Sequence, residues 1–220
     1  HYPLRRQRQM CIRDRNATAT TVPQAPVITA ANVGTGRAYN NGAATITATG
    51  GATGGKAISS YTATSSPGSF TATSGSPVTV TGLQSGTSYT FSVTATNANG
   101  TSTTTTSSSI TATTVPQAPT IGTVTVTNST TLSVPFTAGA TGGSAITSYT
   151  ATSSPSIALS VSGTSTPLTV TGSFASNQAY TFTIAAVNAN GTSSSSSASN
   201  SVTPLIPCLL YTSPSPRDRG

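Results

Sequence analysis

The sequence predicts an all-β chain, two tandem antiparallel β-sandwiches set between tails of a different composition. Three observations carry this. Apolar residues alternate with Thr and Ser at period two, turn-forming pairs recur at short intervals, and long motifs return after roughly 90 residues. Helix is disfavoured because Leu, Glu and Lys, which fill helices at low cost, are scarce, while Thr and Val are abundant. The chain has no apolar run of about 18 residues, so no helical membrane span is expected.

Charge is confined to the ends. The 220-residue chain carries +7, but Arg5, Arg6, Arg8, Arg13, Arg15, Arg217 and Arg219 are all terminal, as are Asp14, Asp218, Cys11, Cys208, Met10 and His1. Between 16 and 207 only Arg37 and Lys56 remain, a charge of +2 with no carboxylate side chain, thiol or imidazole. A net charge of +7 spread over a domain surface would suggest an anionic partner. Placed at the ends it does not, and no nucleic-acid partner is expected.

The two ends pair with each other. Arg5 to Arg15 (R-R-Q-R-Q-M-C-I-R-D-R) and Cys208 to Asp218 (C-L-L-Y-T-S-P-S-P-R-D) resemble the two arms of a transposase-type sequencing adapter, translated in frame and facing inward. Residues 1–15 and the end of 205–220 are therefore read as adapter-derived and set aside. The cysteines then say nothing of redox compartment, and no export signal can be sought in such an N-terminus.

The repeats divide the rest. V-P-Q-A-P occurs at Val22 and at Val115, 93 positions on; S-Y-T-A-T-S-S-P at Ser60 and Ser148, 88 on; N-A-N-G-T-S at Asn97 and Asn188, 91 on. The drift places small insertions in loops. The expected organisation is 16–22 as the end of a preceding repeat, 23–114 as repeat 1, 115–204 as repeat 2, and 205 onward as the start of a next linker. On this reading the chain is a window from a longer tandem array.

Within repeat 1, strands are expected around Ala44, Ile46 and Ala48, around Val78 and Val80, and along Tyr89, Phe91, Val93 and Ala95. Their counterparts are Leu132, Val134 and Phe136, then Leu168 and Val170, then Tyr180, Phe182, Ile184 and Ala186. In each, one face meets a core and the other carries Thr and Ser. Turns are expected at Gly50-Gly51, Gly54-Gly55, Ser66-Pro67-Gly68, Ser85-Gly86 and Asn99-Gly100, the last suited to a tight hairpin because both residues tolerate positive φ. The Thr103–Ser109 and Ser193–Ser199 runs are expected to form the final edge strand of each sandwich.

With these residues in view, each unit resembles a fibronectin type III domain of the kind found in tandem on bacterial exoproteins. The opening P-x-x-P, the S-Y-T-A-T-S-S-P strand and the V-T-G-L-x-x-G-T-x-Y-x-F-x-V-x-A-x-N-x-N-G block carry the resemblance across 23–204. It implies an immunoglobulin-like sandwich. It also implies a tyrosine corner at Leu83 and Tyr89, with Phe174 and Tyr180 as the second pair. The family's core tryptophan is missing. Phe136 takes that place in repeat 2 and Ala48 in repeat 1, where Phe70, lacking a visible counterpart, is expected to fill the gap. Repeat 2 should then be the more stable. The integrin-binding Arg-Gly-Asp loop of animal relatives does not transfer, because this turn reads N-A-N-G.

The chemistry available is small. Side-chain acid–base catalysis needs a carboxylate, imidazole or tuned lysine, and Lys56, the one candidate, reads as a solvated loop charge. The serines have no adjacent base, and calcium sites normally need carboxylates. A lysine–asparagine crosslink is excluded because its helper acid is missing. Gly50–Gly55 lacks the Lys-Ser/Thr ending of a phosphate loop. Asn99, Asn128 and Asn190 head N-x-S/T sequons, and at Asn99 and Asn190 the turn itself accounts for the asparagine.

No catalytic, cofactor or metal site is therefore expected. Tyr89, Tyr180, Leu83, Phe174, Phe136, Phe91 and Phe182 are the structural residues on which the fold should rest. The reading is a non-enzymatic extracellular or cell-surface array, a structural spacer or adhesive stalk of a larger surface or secreted protein. The alternative is a set of accessory linker modules in a secreted glycoside hydrolase or phage tail protein. Expected partners are neighbouring repeats of the same chain, with a surface carbohydrate or protein as a further candidate.

Overall fold

The computed structural model describes residues 18–157 and 161–205. The adapter-like tails, with both cysteines, lie outside the described residues. The chain divides into two compact units, 1–114 and 115–220.

Unit 1 contains β1 (Val27–Val33), β2 (Gly42–Thr49), β3 (Ser60–Ser66), β4 (Thr71–Ser74), β5 (Val78–Leu83) and β6 (Ser88–Asn97), then the short β7 (Gly100–Thr101), β8 (Thr105–Thr106) and β9 (Ile110–Thr111). One sheet runs β1-β2-β5; the other runs β4-β3-β6-β7, with β8 and β9 also pairing to β6. Every pairing is antiparallel. Period-two alternation turns Ala44, Ile46, Val78, Val80, Phe91 and Val93 inward, where all are buried, while the Thr on the other side stay at the surface. Two sheets each apolar on one face can only bury those faces against each other.

Unit 2 repeats the plan with more interruptions. Its strands are β10 (Thr120–Ile121), β11 (Thr125–Asn128), β12 (Thr131–Val134), β13 (Phe136–Thr137), β14 (Ile146–Ser154), β15 (Val161–Gly163), β16 (Leu168–Thr171), β17 (Thr181–Asn188) and β18 (Gly191–Thr192). The sheets are β10-β13, β11-β12-β16 and β15-β14-β17-β18. Pro135, which has no N–H to give a ladder, separates β12 from β13; its carbonyl still accepts from the Gly122 N–H at 2.8 Å. Where β1 is one strand, its unit 2 counterpart is split around Gly122, and the Asn200 side chain bridges the split. Asn200 Oδ1 accepts from the Val124 N–H at 2.8 Å and Nδ2 donates to the Val124 carbonyl at 3.1 Å, as a neighbouring strand would.

Three expectations are corrected here. Phe70 does not fill the space beside Ala48. It lies at the other end of β5, edge-on to Tyr89 with ring centroids 6.2 Å apart. Nor is it without a counterpart. The Phe70 N–H donates to Ser65 Oγ at 3.0 Å, and the Ile157 N–H donates to Ser153 Oγ at 3.2 Å from the equivalent serine, in a loop one residue shorter. Tyr61 packs on the same core half-buried and, with Ile58, closes over Gly50, two residues along from Ala48.

The second correction concerns which residues turn the hairpins: Asn97 pairs with Gly100 and Asn188 with Gly191, so the loop pair is 98–99, not Asn99-Gly100. Only Gly100 and Gly191 take positive φ there, 131° and 128°, and Asn99 does not. The turn is set by Asn97 and Asn188, whose Oδ1 atoms accept from the N–H of Asn99 and Asn190 at 2.8 Å. The third concerns the final edge. In unit 1 it is three fragments, and in unit 2 Ser193–Ser199 forms no regular strand.

Candidate functional site

The irregular edge is built from serine hydroxyls. In unit 2 the N–H groups of Ser193, Ser196 and Ser199 donate to the carbonyls of Ala186, Ile184 and Phe182 at 2.8, 2.8 and 2.9 Å. The N–H groups of those same three β17 residues donate back, at 3.0 Å each, to the serine Oγ atoms where a strand would offer carbonyls. Each hydroxyl then donates at 2.7 Å to the next carbonyl along, on Ser194, Ser197 and Asn200. The edge advances three residues for every two of β17, so each step is a bulge. Ser102 with Ala95 and Ser107 with Phe91 repeat the unit in the first sandwich. A sheet edge finished this way satisfies the central strand and offers no regular ladder to another chain.

At the opposite turn of each strand pair stand the tyrosines. The Gln84 N–H donates to the Tyr89 hydroxyl at 3.0 Å, and the Ala175 N–H to the Tyr180 hydroxyl at 3.0 Å. Both rings are buried, beside Leu83 in one unit and Phe174 in the other, and Phe174 meets Tyr180 edge-on at 5.4 Å. Phe91 and Phe182 fill the centre of each core, and Phe136 lies 4.4 Å from Tyr149 between ring centroids. These seven residues come together as two cores rather than as one site.

The entry to unit 1 is a polar clamp that alternation does not reveal. Asn97 is buried; its Nδ2 donates to the carbonyls of Thr21 at 3.0 Å and Thr53 at 2.8 Å. Asn99 Nδ2 adds a second bond to the Thr21 carbonyl at 3.0 Å. Gly54 has φ 65°, and a Cβ there would collide with the Thr21 carbonyl, so the glycine is needed for this close approach. Gln24 grips Ala52 twice, N–H to carbonyl at 2.8 Å and Oε1 from N–H at 3.3 Å. Gln117 does the same with Ala140, at 2.9 and 3.2 Å. Asn188 is likewise buried, donating to the Thr141 carbonyl at 2.8 Å. The signal for these residues was their recurrence in both copies of V-P-Q-A-P and N-A-N-G.

Residues 38–112 match the family model described as Fibronectin type III domain. The first unit holds one fibronectin type III domain. Solved structures align with the chain as well, two of them at 18% identity. One is a crystal structure of titin domains, covering 82% of this chain and 68% of that one at TM-score 0.44. The other is the FN1-FN3 domains of chicken CNTN1, covering 85% and 69% at TM-score 0.41. No curated protein matches the chain.

The outward face of this fibronectin type III domain is a sheet of hydroxyls. Thr62 pairs with Thr73 at 2.8 Å, Thr64 with Thr71 at 3.2 Å, and Thr96 with Thr101 at 3.2 Å, each across neighbouring strands. On the corresponding face of unit 2, Ala185 and Val187 stand opposite Thr150 and Ser148 and interrupt the pattern. An open groove of about 410 Å³ runs between residues 25–31 and 105–108 of the first unit. Thr105 Oγ1 crosses it at one end to the Pro26 carbonyl at 2.7 Å, and its lining has no ionisable side chain. Arg37 is engaged with the Asn41 carbonyl at 3.0 Å, and Lys56 is exposed in its loop. Among the described residues no three His, Cys, Asp or Glu side chains cluster, and no helix is long and apolar enough to cross a membrane.

Proposed function

We propose that the chain is a non-enzymatic array of two fibronectin type III repeats, of the tandem type borne by bacterial exoproteins, serving as a spacer or adhesive stalk of a larger surface or secreted protein. The tails at 1–15 and 208–220 are adapter-derived on this reading and add nothing to it. The entry clamp is the observation that carries the proposal. Asn97, Asn99 and Gly54 fix the segment that leads into the sandwich, so that segment transmits load instead of swinging as a free linker. Hydroxyl faces and blunted edges keep a nearly uncharged surface hydrated without inviting sheet-to-sheet association.

Single-molecule stretching tests this. Two cooperative unfolding events are expected, each releasing about 90 residues, or roughly 30 nm at about 3.4 Å per extended residue. A chain that extends gradually, without discrete events, would overturn the spacer reading.

A further inference from the structure

Of the three sequons whose asparagine lies among the described residues, the structure separates one from the other two. Asn99 is spent on the entry clamp: Nδ2 donates to the Thr21 carbonyl at 3.0 Å, and Oδ1 lies 3.3 Å from Thr20 Oγ1. The third residue of that sequon, Thr101, turns to Thr96 at 3.2 Å instead of to the asparagine. Asn190 is half-buried in the equivalent turn, its N–H held by Asn188, and its sequon threonine, Thr192, is in β18.

Asn128 differs in how its amide is bonded. It ends β11 at the apex of the β11–β12 hairpin, where Asn128 pairs with Thr131 across a two-residue loop. Asn128 and Thr130 are both exposed. Thr130 folds back on the asparagine, its N–H at 2.9 Å and its Oγ1 at 3.0 Å from Asn128 Oδ1. Both bonds fall on the amide oxygen, and among the described residues Nδ2 has no partner. The sequon hydroxyl therefore polarises the amide while the nitrogen that would carry a sugar faces outward unencumbered.

We infer that Asn128 is an N-glycosylation site, the acceptor for a glycosyl-diphosphate donor. In the transfer the Asn128 Nδ2–C1 bond forms, the C1–oxygen bond to the diphosphate breaks, the diphosphate carrier leaves, and an Nδ2 proton passes to a base of the transferase. The placement suits a glycan. β11 is the outer strand of β11-β12-β16, all four of its residues are exposed, and Val126 is 41% exposed, an open edge that a sugar at its end would screen.

The test uses the folded full chain in two arms, one with a sequon-reading oligosaccharyltransferase and its polyprenyl-diphosphate oligosaccharide, the other with an N-glucosyltransferase and UDP-glucose. A short acceptor peptide in the same tube reports that the enzyme is active. In a chain carrying N16Q, which removes the sequon at Asn16, intact mass and peptide mapping should show one glycan, on Asn128, in at least one arm, with Asn99 and Asn190 at least tenfold less modified. N128Q and T130V should abolish it, and T130S should retain it. Transfer to the peptide but not to Asn128 would overturn the proposal, as would equal modification of Asn99 or Asn190 in the folded chain. Retention of transfer in T130V would do so too.

Discussion

Where unit 2 places Phe136, unit 1 places Ala48. Both backbone N–H groups donate to a hydroxyl, Ser76 Oγ at 3.0 Å in unit 1 and Thr166 Oγ1 at 2.9 Å in unit 2, which fixes the two positions as equivalents. Phe136 rests on Tyr149, which is buried; Tyr61, which holds the same place in the repeated S-Y-T-A-T-S-S-P of unit 1, stays half-buried. Unit 2 gives up strand continuity at Pro135 and gains a buried ring. One lost ladder bond costs about 1 kcal/mol, whereas a buried phenylalanine contributes about 1.5–3 kcal/mol. The ring outweighs the break, and unit 2 is expected to be the more stable half.

Five substitutions break or sharpen this comparison. Phe136→Ala should have the largest effect, about 3–5 kcal/mol, because it opens a cavity against Tyr149. Followed by amide exchange, it should bring unit 2 below unit 1 while leaving unit 1 unchanged; a loss shared equally by both halves would argue against independent cores. Asn97→Ala comes next. It orphans the Thr53 carbonyl and the Asn99 N–H and leaves the Thr21 carbonyl with only its Asn99 side-chain bond, at about 1–3 kcal/mol, and should speed exchange at Thr21, whose N–H donates to Gly54.

Ser196→Ala removes a hydroxyl that stands in for a strand carbonyl. About 1–2 kcal/mol should be lost, with faster exchange at Ile184 and little change at Tyr89. Tyr89→Phe and Tyr180→Phe should be the mildest, about 1 kcal/mol each, and nearly equal, since the same bond at the same length is deleted in both. A large difference in denaturation midpoint shift between the two would mean that the neighbours Leu83 and Phe174, rather than the hydroxyl bond, set the corner's worth.

The core residues were legible because burial in a sandwich follows strict alternation. Tyr89, Phe91, Val93 and Ala95, and their counterparts from Tyr180 to Ala186, are buried residue by residue as period two requires. The entry clamp was not legible, because Asn97 reaches Thr21 and Thr53 across 76 and 44 positions, and no local pattern encodes such a bond. The serine edge was hidden for a different reason. Its inward residues fall at Ser193, Ser196 and Ser199, a step of three, so a run that looks merely Ser-rich conceals an ordered ladder. Phe70 was misplaced because a loop one residue shorter in unit 2 hid its match to Ile157.

The most direct test of the account is hydrogen exchange read by mass spectrometry on the full chain at increasing denaturant. Amides of β12, β16 and β17 should stay protected at concentrations where those of β2, β5 and β6 already exchange together. If the first unit's strands outlast the second's, core filling at Phe136 and Ala48 does not decide the order, and the comparison drawn between the two sandwiches is wrong.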